Sequence, residues 1–497
     1  MGWIKKGSLA AAAVFVLIVT GCGGKTRTAG AELRFGFMTE PATLDPLSPA
    51  NTADGRSILF NVFEGLVKVT PDGTLVPALA ESWSIAEGGL VYSFTLRPGV
   101  RFHDGTLLTG ADVVFSLQTA VDARFSGFGS IASIVEDGDR RVRITLRAPN
   151  PEFLPYLTIG IVPRANAGRE RNPVGTGPFK IESYTTQHSL VLTKNSQYWN
   201  PALPKLERVT LVFLADNNTL LLALQGGSID GAVVTGSVLQ QLPADDFDVV
   251  SGFSNMVQLL ALNNDVPPLD RREVRRALNY AVNVQEIIDA AFFGHGEPSG
   301  SPLIPGLRTS YEASLRDPYP ADPARARSLL AEAGFGNGFN LEITVPSSYT
   351  MHVDTAQVIV NQLRRAGVNA SIRLIDWGAW LSEVYEGRRY QATVISLDGN
   401  TVSPQAFLFR YQSNQRSNFI NFRNSNYDRV YQDAVLETND ARRAELYREA
   451  QRIVSAEAAS IYIQDIYSFW VYRAGMYGGA VTYPVSVTDF APVYRVE

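Results

Sequence analysis

Sixty residues, Ile58 to Leu117, constrain the fold more than any other part of the chain, because their local signals ask for a helix, a turn, a strand and a second helix in that order. Ile58, Leu59, Val62, Phe63, Leu66 and Val67 recur at the i, i+1, i+4, i+5 spacing of one helical face and predict an amphipathic helix docked on a core. Thr70, Pro71, Asp72 and Gly73 predict a type I turn, with proline pre-setting φ at its second position. Leu90, Tyr92, Phe94 and Leu96 alternate with Val91, Ser93, Thr95 and Arg97, the period of a half-buried strand, and Pro98 and Gly99 stop it. Thr109 and Asp112 read as a capping box that opens a helix from Ala111 to Leu117.

The remainder continues as strands alternating with helices, the pattern of α/β lobes. Leu33–Met38 reads as a first strand. Arg208–Leu214, a helix from Asn217 to Leu224 closed by Gly226 and Gly227, and the short strand GAVV form one βαβ unit. Asp270 and Glu273 suggest a further capping box, and Asp322, Pro323 and Gly334 bound another helix. LEITV, a helix through Ile359 and Leu363 ended by Gly367, and SIRLI make a second βαβ unit, and a helix from Ala441 to Ala456 follows.

At the start, Lys5 and Lys6 precede an apolar run, Leu9 to Val19, of signal-peptide rather than membrane-spanning length. Cys22 follows directly and is the only cysteine, so an internal disulfide is impossible. Removing residues 1–21 takes away Lys5 and Lys6 and no acid, which leaves 42 bases against 49 acids and a charge of −7. Nothing in that balance or its distribution makes a basic stripe for nucleic acid, and no second apolar run is long enough to cross a bilayer. A 45% hydrophobic and 19% charged composition belongs to a globular chain, and its length predicts two or three domains.

The wording of the chain closely resembles the family 5 extracellular solute-binding proteins, the receptors of oligopeptide, dipeptide and nickel ABC importers. The resemblance is carried by FEGL, PDG, PALAESW, YSFTLRPGVRFHDG and ADVVFSL within the first block, and by EPATLDP at Glu40 to Pro46, NPVGTGPFK at Asn172 to Lys180 and NSQYWN at Asn195 to Asn200. It continues through ALQGGSIDGA at Ala223 to Ala232, LALNNDVPPLDRREVRRALNYAVN at Leu260 to Asn283, ARSLLAEAGF at Ala326 to Phe335 and YDRVYQDA at Tyr427 to Ala434. Val19, Thr20, Gly21 and Cys22 likewise resemble a lipobox, which implies cleavage before Cys22, a lipid on its sulfur and a tether over residues 22–31.

The resemblance implies an α/β, two-lobed periplasmic-binding-protein fold of type II with a hinged cleft. Lobe I would comprise residues 32–70, 170–265 and 475–497, with residues 71–169 as an inserted subdomain, and lobe II residues 266–474. Proline and glycine interrupt the strand patterns near Asn263 to Pro267 and Arg473 to Gly478, where the chain is expected to cross between lobes. The partners so implied are a peptide or other small solute and the permease subunits of an importer, with the receptor monomeric, held by its lipid at the bacterial cell membrane and facing the periplasm or exterior. No cofactor or metal is expected.

In peptide-binding relatives a Gly-Trp pair and an aspartate, followed by a proline, supply the carboxylate that meets the ligand's α-amino group. The stretch here is SLDGNTVSP, and aligned on Pro404 it places Ser396 and Leu397 at the Gly-Trp pair and Asn400 at the aspartate. An amide lacks the charge that strengthens a bond to an ammonium. Asp398, two positions away, is either its substitute or a turn residue before Gly399. Trp377 and Trp380 either floor a ligand pocket or pack in the core, Tyr349 follows a strand end where clefts form, and Asn263 bonds backbone or ligand beside the expected crossing. Trp83 and Trp199 read as packing residues.

An enzyme is not expected. His103, His188, His295 and His352 have no paired metal-ligand spacing, GTGPFK lacks the phosphate-loop spacing, and no GxSxG elbow is present. Gly127, Gly129 and Ala132 match GxGxxA but precede a strand instead of following one. The functions left are an importer receptor for oligopeptides or a peptide-like solute, a receptor for neutral oligosaccharides or another non-peptide solute, and a surface sensing or chaperone protein.

Overall fold

The computed structural model describes residues 32–51, 53–166, 168–399, 401–485 and 487–496. The lipobox, Cys22 and the tether lie outside the described residues, as does Asn400.

One eleven-stranded sheet runs through the molecule. Its order is Asn369–Ile375, Asn340–Pro346, Ala392–Asp398, Phe247–Leu262, Ser460–Arg473, Gly231–Val234, Glu32–Phe37, Arg208–Phe213, Ser189–Lys194 and Phe179–Thr185, with Gly296–Pro298 also paired on Ser460–Arg473. Both βαβ units form as expected. Arg208–Phe213 and Gly231–Val234 lie parallel on either side of Glu32–Phe37, and Asn340–Pro346 lies parallel to Asn369–Ile375 after the crossover helix Thr350–Arg365.

Two strands are unusually long. Phe247–Leu262 and Ser460–Arg473 pair with each other along most of their length, and each starts in one lobe and ends in the other. Phe247, Phe469 and Val471 pack in a lobe I core with Leu220, whereas Leu260, Ile461 and Ile463 pack in a lobe II core with Leu278 and Ile359. The crossings expected at 263–267 and 473–478 therefore lie instead inside these strands, where the ladder loses register between Phe253 and Val257. The physical reason is hydrogen bonding: a paired strand satisfies its own backbone while it passes between lobes, so proline and glycine are not needed there.

The inserted subdomain is a four-stranded antiparallel sheet, Ala80–Ala86, Val91–Leu96, Arg141–Leu146 and Ile131–Glu136, covered by the helix Gly110–Asp122. Its core holds Tyr92, Phe94, Leu96, Val113 and Leu117, the alternation read from the sequence. Asp112 begins that helix by accepting from the Thr109 backbone N–H at 3.0 Å and from its hydroxyl at 2.6 Å. The Thr70–Gly73 turn also forms, closed by the Gly73 N–H on the Thr70 carbonyl.

Two helical expectations need correction. The helix expected from Ile58 lies earlier, at Ala53–Leu59, and residues 60–66 are an irregular, buried segment. There the carbonyls of Asn61 and Val62 accept from Phe179 and Gly177, and the Leu66 N–H donates to Leu157, so tertiary partners replace helical ones. A Cβ on Gly65 would lie 2.4 Å from the Leu157 carbonyl, which is why the close approach requires glycine. Asp270 does not cap the next helix, which is Arg272–Ala281 with Arg271 as its N-cap. The Asp270 carbonyl instead joins those of Leu269, Glu457 and Ala458 around the buried Arg275 guanidinium. Asp322 caps Pro323–Glu332 as expected, its carboxylate accepting from Arg325 at 2.9 Å.

Candidate functional site

Beside the crossing strands, the space between the lobes forms a cavity of about 440 Å³. That volume suits a small organic ligand. Lobe I contributes Phe60 and Phe63 to the wall, and the inserted subdomain contributes Phe125, Phe128 and Tyr156. Lobe II contributes Asp398, Thr401, Val402 and Phe407, and the crossing itself contributes Ser254, Asn255 and Met256.

Local structure explains the lobe II wall. Asp398 ends the strand Ala392–Asp398 opposite Met256, and its carbonyl is held by Arg410 at 3.1 Å. A Cβ on Gly399 would lie 2.2 Å from the Phe407 ring, so the ring occupies the space that any side chain at 399 would need. On the facing wall Arg124 takes a left-handed conformation, φ 57°, just after the helix Gly110–Asp122. Among the described residues, neither the Asp398 carboxylate nor the Arg124 guanidinium has a hydrogen-bond or ion-pair partner. The cavity thus carries this acid and this base with unfilled bonding capacity, beside a second arginine, Arg56, and the amides of Asn51 and Asn255, amid aromatic and aliphatic side chains.

Behind the crossing lies a polar layer. Asp465 is fully buried and accepts from the Ser254 hydroxyl and the Met256 N–H, both at 3.3 Å, while its Oδ2 has no partner among the described residues. Burial pushes its carboxyl up to about 8, so it is mostly protonated at neutral pH. Gln258 links Gln464, Thr355 and His352 at 2.9–3.1 Å, and burial lowers His352 to about 4. His103 is half-buried and neutral, lowered to about 4 by desolvation, bridging the Gly175 N–H and the Gly177 carbonyl. GTGPFK is thereby a structural turn.

Of the residues singled out from the sequence, Asp398 lines the cavity. Tyr349, Trp377 and Trp380 come together, but outside its wall. Trp377 and Trp380 stack at 5.0 Å with a 5° interplanar angle, and Tyr349 meets Trp377 edge-on at 5.3 Å. Trp380 is buried and donates to Thr393, whereas Trp377 and Tyr349 remain 38% and 39% exposed. They follow Asn369–Ile375 and Asn340–Pro346, which run parallel to Ala392–Asp398, so they sit at the same end of the sheet as Asp398. Asn263 is buried inside lobe II, donating to the Arg388 and Tyr390 carbonyls and accepting from Asn421. Its amide is committed to the chain, which is the backbone alternative of the two read from the sequence and not the ligand contact.

Sequence reasoning missed the aromatic wall and the crossing residues. The available signal for the second was the break in alternation at Gly252–Met256, where Asn255 adopts φ 59°.

Two lobes joined by paired strands around a cavity define a type II periplasmic binding protein. The model of the bacterial extracellular solute-binding proteins, family 5 Middle, matches residues 74–419, and the chain belongs to that family, the substrate-binding proteins of ABC importers. It is 30% identical over 448 residues to a glutathione-binding protein, GsiB, of Pectobacterium atrosepticum, covering 85% of this chain and 86% of that one. It is also 30% identical over 483 residues to heme-binding protein A of Haemophilus influenzae, covering 88% and 87%. The periplasmic binding protein DppA of Helicobacter pylori in complex with the peptide STSA superposes with a TM-score of 0.81 at 26% identity, over 94% of this chain and 98% of that one.

Proposed function

We propose that this protein captures a short peptide or peptide-like zwitterion between its lobes and delivers it unchanged to a membrane permease. The observation that carries this reading is that Asp398 and Arg124, from different lobes, line one cavity together with aromatic and polar side chains. A ligand ammonium would meet the carboxylate and a ligand carboxylate the guanidinium, each a charge-assisted bond, while the aromatic side chains take the apolar body. The volume of about 440 Å³ favours a ligand of a few residues over a long peptide. The glutathione-binding and peptide-bound relatives support the same class. Trp377 and Tyr349 lie outside the cavity wall, which weakens the case for a neutral oligosaccharide. Lipid on Cys22 would hold the receptor at the membrane, and the lobes would close because the ligand contacts both walls only in that state.

Native mass spectrometry of the purified protein tests this. A co-purified mass in the di- to tetrapeptide range, released unmodified, is expected. A neutral sugar, or a ligand returned chemically altered, would refute it.

A further inference from the structure

The rim of the cleft holds a charged contact that neither the cavity nor the cores require. Glu152 follows the last strand of the inserted subdomain and points across to lobe II. Its Oε2 accepts from the Tyr447 hydroxyl at 2.6 Å and the Ser403 hydroxyl at 2.8 Å, and its Oε1 lies 3.4 Å from Arg443 Nε. Tyr447 and Arg443 stand on the lobe II helix Asp440–Ala456. Ser403 belongs to the segment that also supplies Thr401, Val402 and Phe407 to the cavity wall. One residue earlier, Val402 packs against the small apolar cluster of Val69, Tyr483 and Val487 in lobe I. The 401–405 segment is therefore gripped from two sides of lobe I while it forms part of the cavity.

We propose that Glu152 is a closure latch: it is the positioning residue that fixes the 401–405 wall against lobe I and sets the population of the closed form. Every partner it has in lobe II lies across the cleft, so these bonds exist only when the lobes meet. Opening returns the carboxylate to water, whereas closing places it among Arg443, Tyr447 and Tyr431 of lobe II, the Gln405 N–H, and Tyr156 and Tyr92 of its own subdomain. Asp440 shares Arg443, so the cation is not devoted to Glu152 alone.

Burial raises the Glu152 carboxyl above the usual carboxylate range, against the opposing pull of these hydrogen bonds. Because its closed-form value is the higher one, closure is favoured below the open-form pKa, and that advantage fades as pH rises through the closed-form value. Acid thus promotes closure.

This inference rests on the reading that the lobes open and close, and the test is chosen to separate the two. Small-angle X-ray scattering of the purified full chain without solute is measured at about pH 5 and about pH 8 for the wild type, Glu152→Gln, Glu152→Ala and Tyr447→Phe. Glu152→Ala is expected to lower the ratio of closed to open form by about tenfold or more, and Tyr447→Phe by less, in the same direction. Glu152→Gln, which keeps an acceptor but not the charge, should lose the wild-type shift toward closure at the lower pH. Near-wild-type thermal unfolding of Tyr447→Phe would show that the lobes themselves are intact. Scattering profiles that superimpose for all four proteins at both pH values would overturn the latch. If the profiles superimpose without solute and a solute then compacts all four proteins, the latch is overturned while the receptor reading stays intact.

Discussion

The crossing strands and the cleft rim both join lobe I to lobe II, and they do so by opposite means. At the crossing, Phe247–Leu262 and Ser460–Arg473 are paired backbone to backbone, and Val257, Leu259 and Leu260 are buried whatever the rim does. At the rim the contacts are side chains from separate parts of the chain, Glu152 with Ser403 and Tyr447, and Val402 with the Val69 cluster. Each region buries a carboxylate. Asp465 is buried by the fold itself, while Glu152 is buried by the meeting of the lobes. A change at the crossing should therefore act on folding and a change at the rim on closure, although both sites bind the same two bodies.

Leu260→Ala probes that division most strongly. A fully buried core leucine on a crossing strand should lose about 2–5 kcal/mol of stability, read as a lower midpoint in denaturant, with the rim contacts unchanged. Asp398→Asn, on the cavity wall, should weaken binding of a zwitterionic tripeptide by about 1.5–3 kcal/mol with unfolding unaltered, as titration calorimetry would read it. Equal affinities would remove Asp398 from the proposed site.

Asp465→Asn sharpens the contrast through pH. The folded protein holds this proton to about 8 while an unfolded aspartic acid releases it near its ordinary value. Its contribution to stability is thus full in strong acid and declines until pH passes about 8. The neutral variant should be more stable than wild type by about 1–3 kcal/mol at alkaline pH, with the gain shrinking in acid. Scanning calorimetry across that range reads it directly. The smallest effect is expected for Val402→Ala, about 1 kcal/mol of closure from lost apolar contact, seen in solute affinity and not in the melting of the lobes. A large loss of thermal stability there would blur the distinction between crossing and rim.

Much of the molecule was legible residue by residue. The turn at Thr70, the strand through Tyr92 and Phe94, the Asp112 and Asp322 caps and both βαβ units depend on neighbours within a few positions. Ile58 to Val67 misled because its apolar spacing is real while the helix is not continued: all six of those side chains are buried, yet the carbonyls of Asn61 and Val62 and the Leu66 N–H pair with residues 177–179 and 157. Asp398 was legible only as a candidate, two positions from Asn400, because a turn residue before Gly399 read equally well. The aromatic wall of Phe125, Phe128 and Tyr156 was not, because nothing near them in sequence distinguishes a ring facing a cavity from one facing a core.

By itself the sequence determined the α/β alternation, the order of the elements and, through the chain-long likeness of its motifs, the family. Those depend on backbone preferences and short-range spacing, which each segment carries with it. Only the tertiary structure decided where the lobes join, which acid lies on the cavity wall and which acid bridges the rim. Glu152 and Tyr447 are 295 positions apart, and Asp398 and Arg124 come to one cavity from different lobes. Whether a carboxylate is solvated, buried by folding or buried by closure depends on what packs around it, and that is a property of the assembled chain.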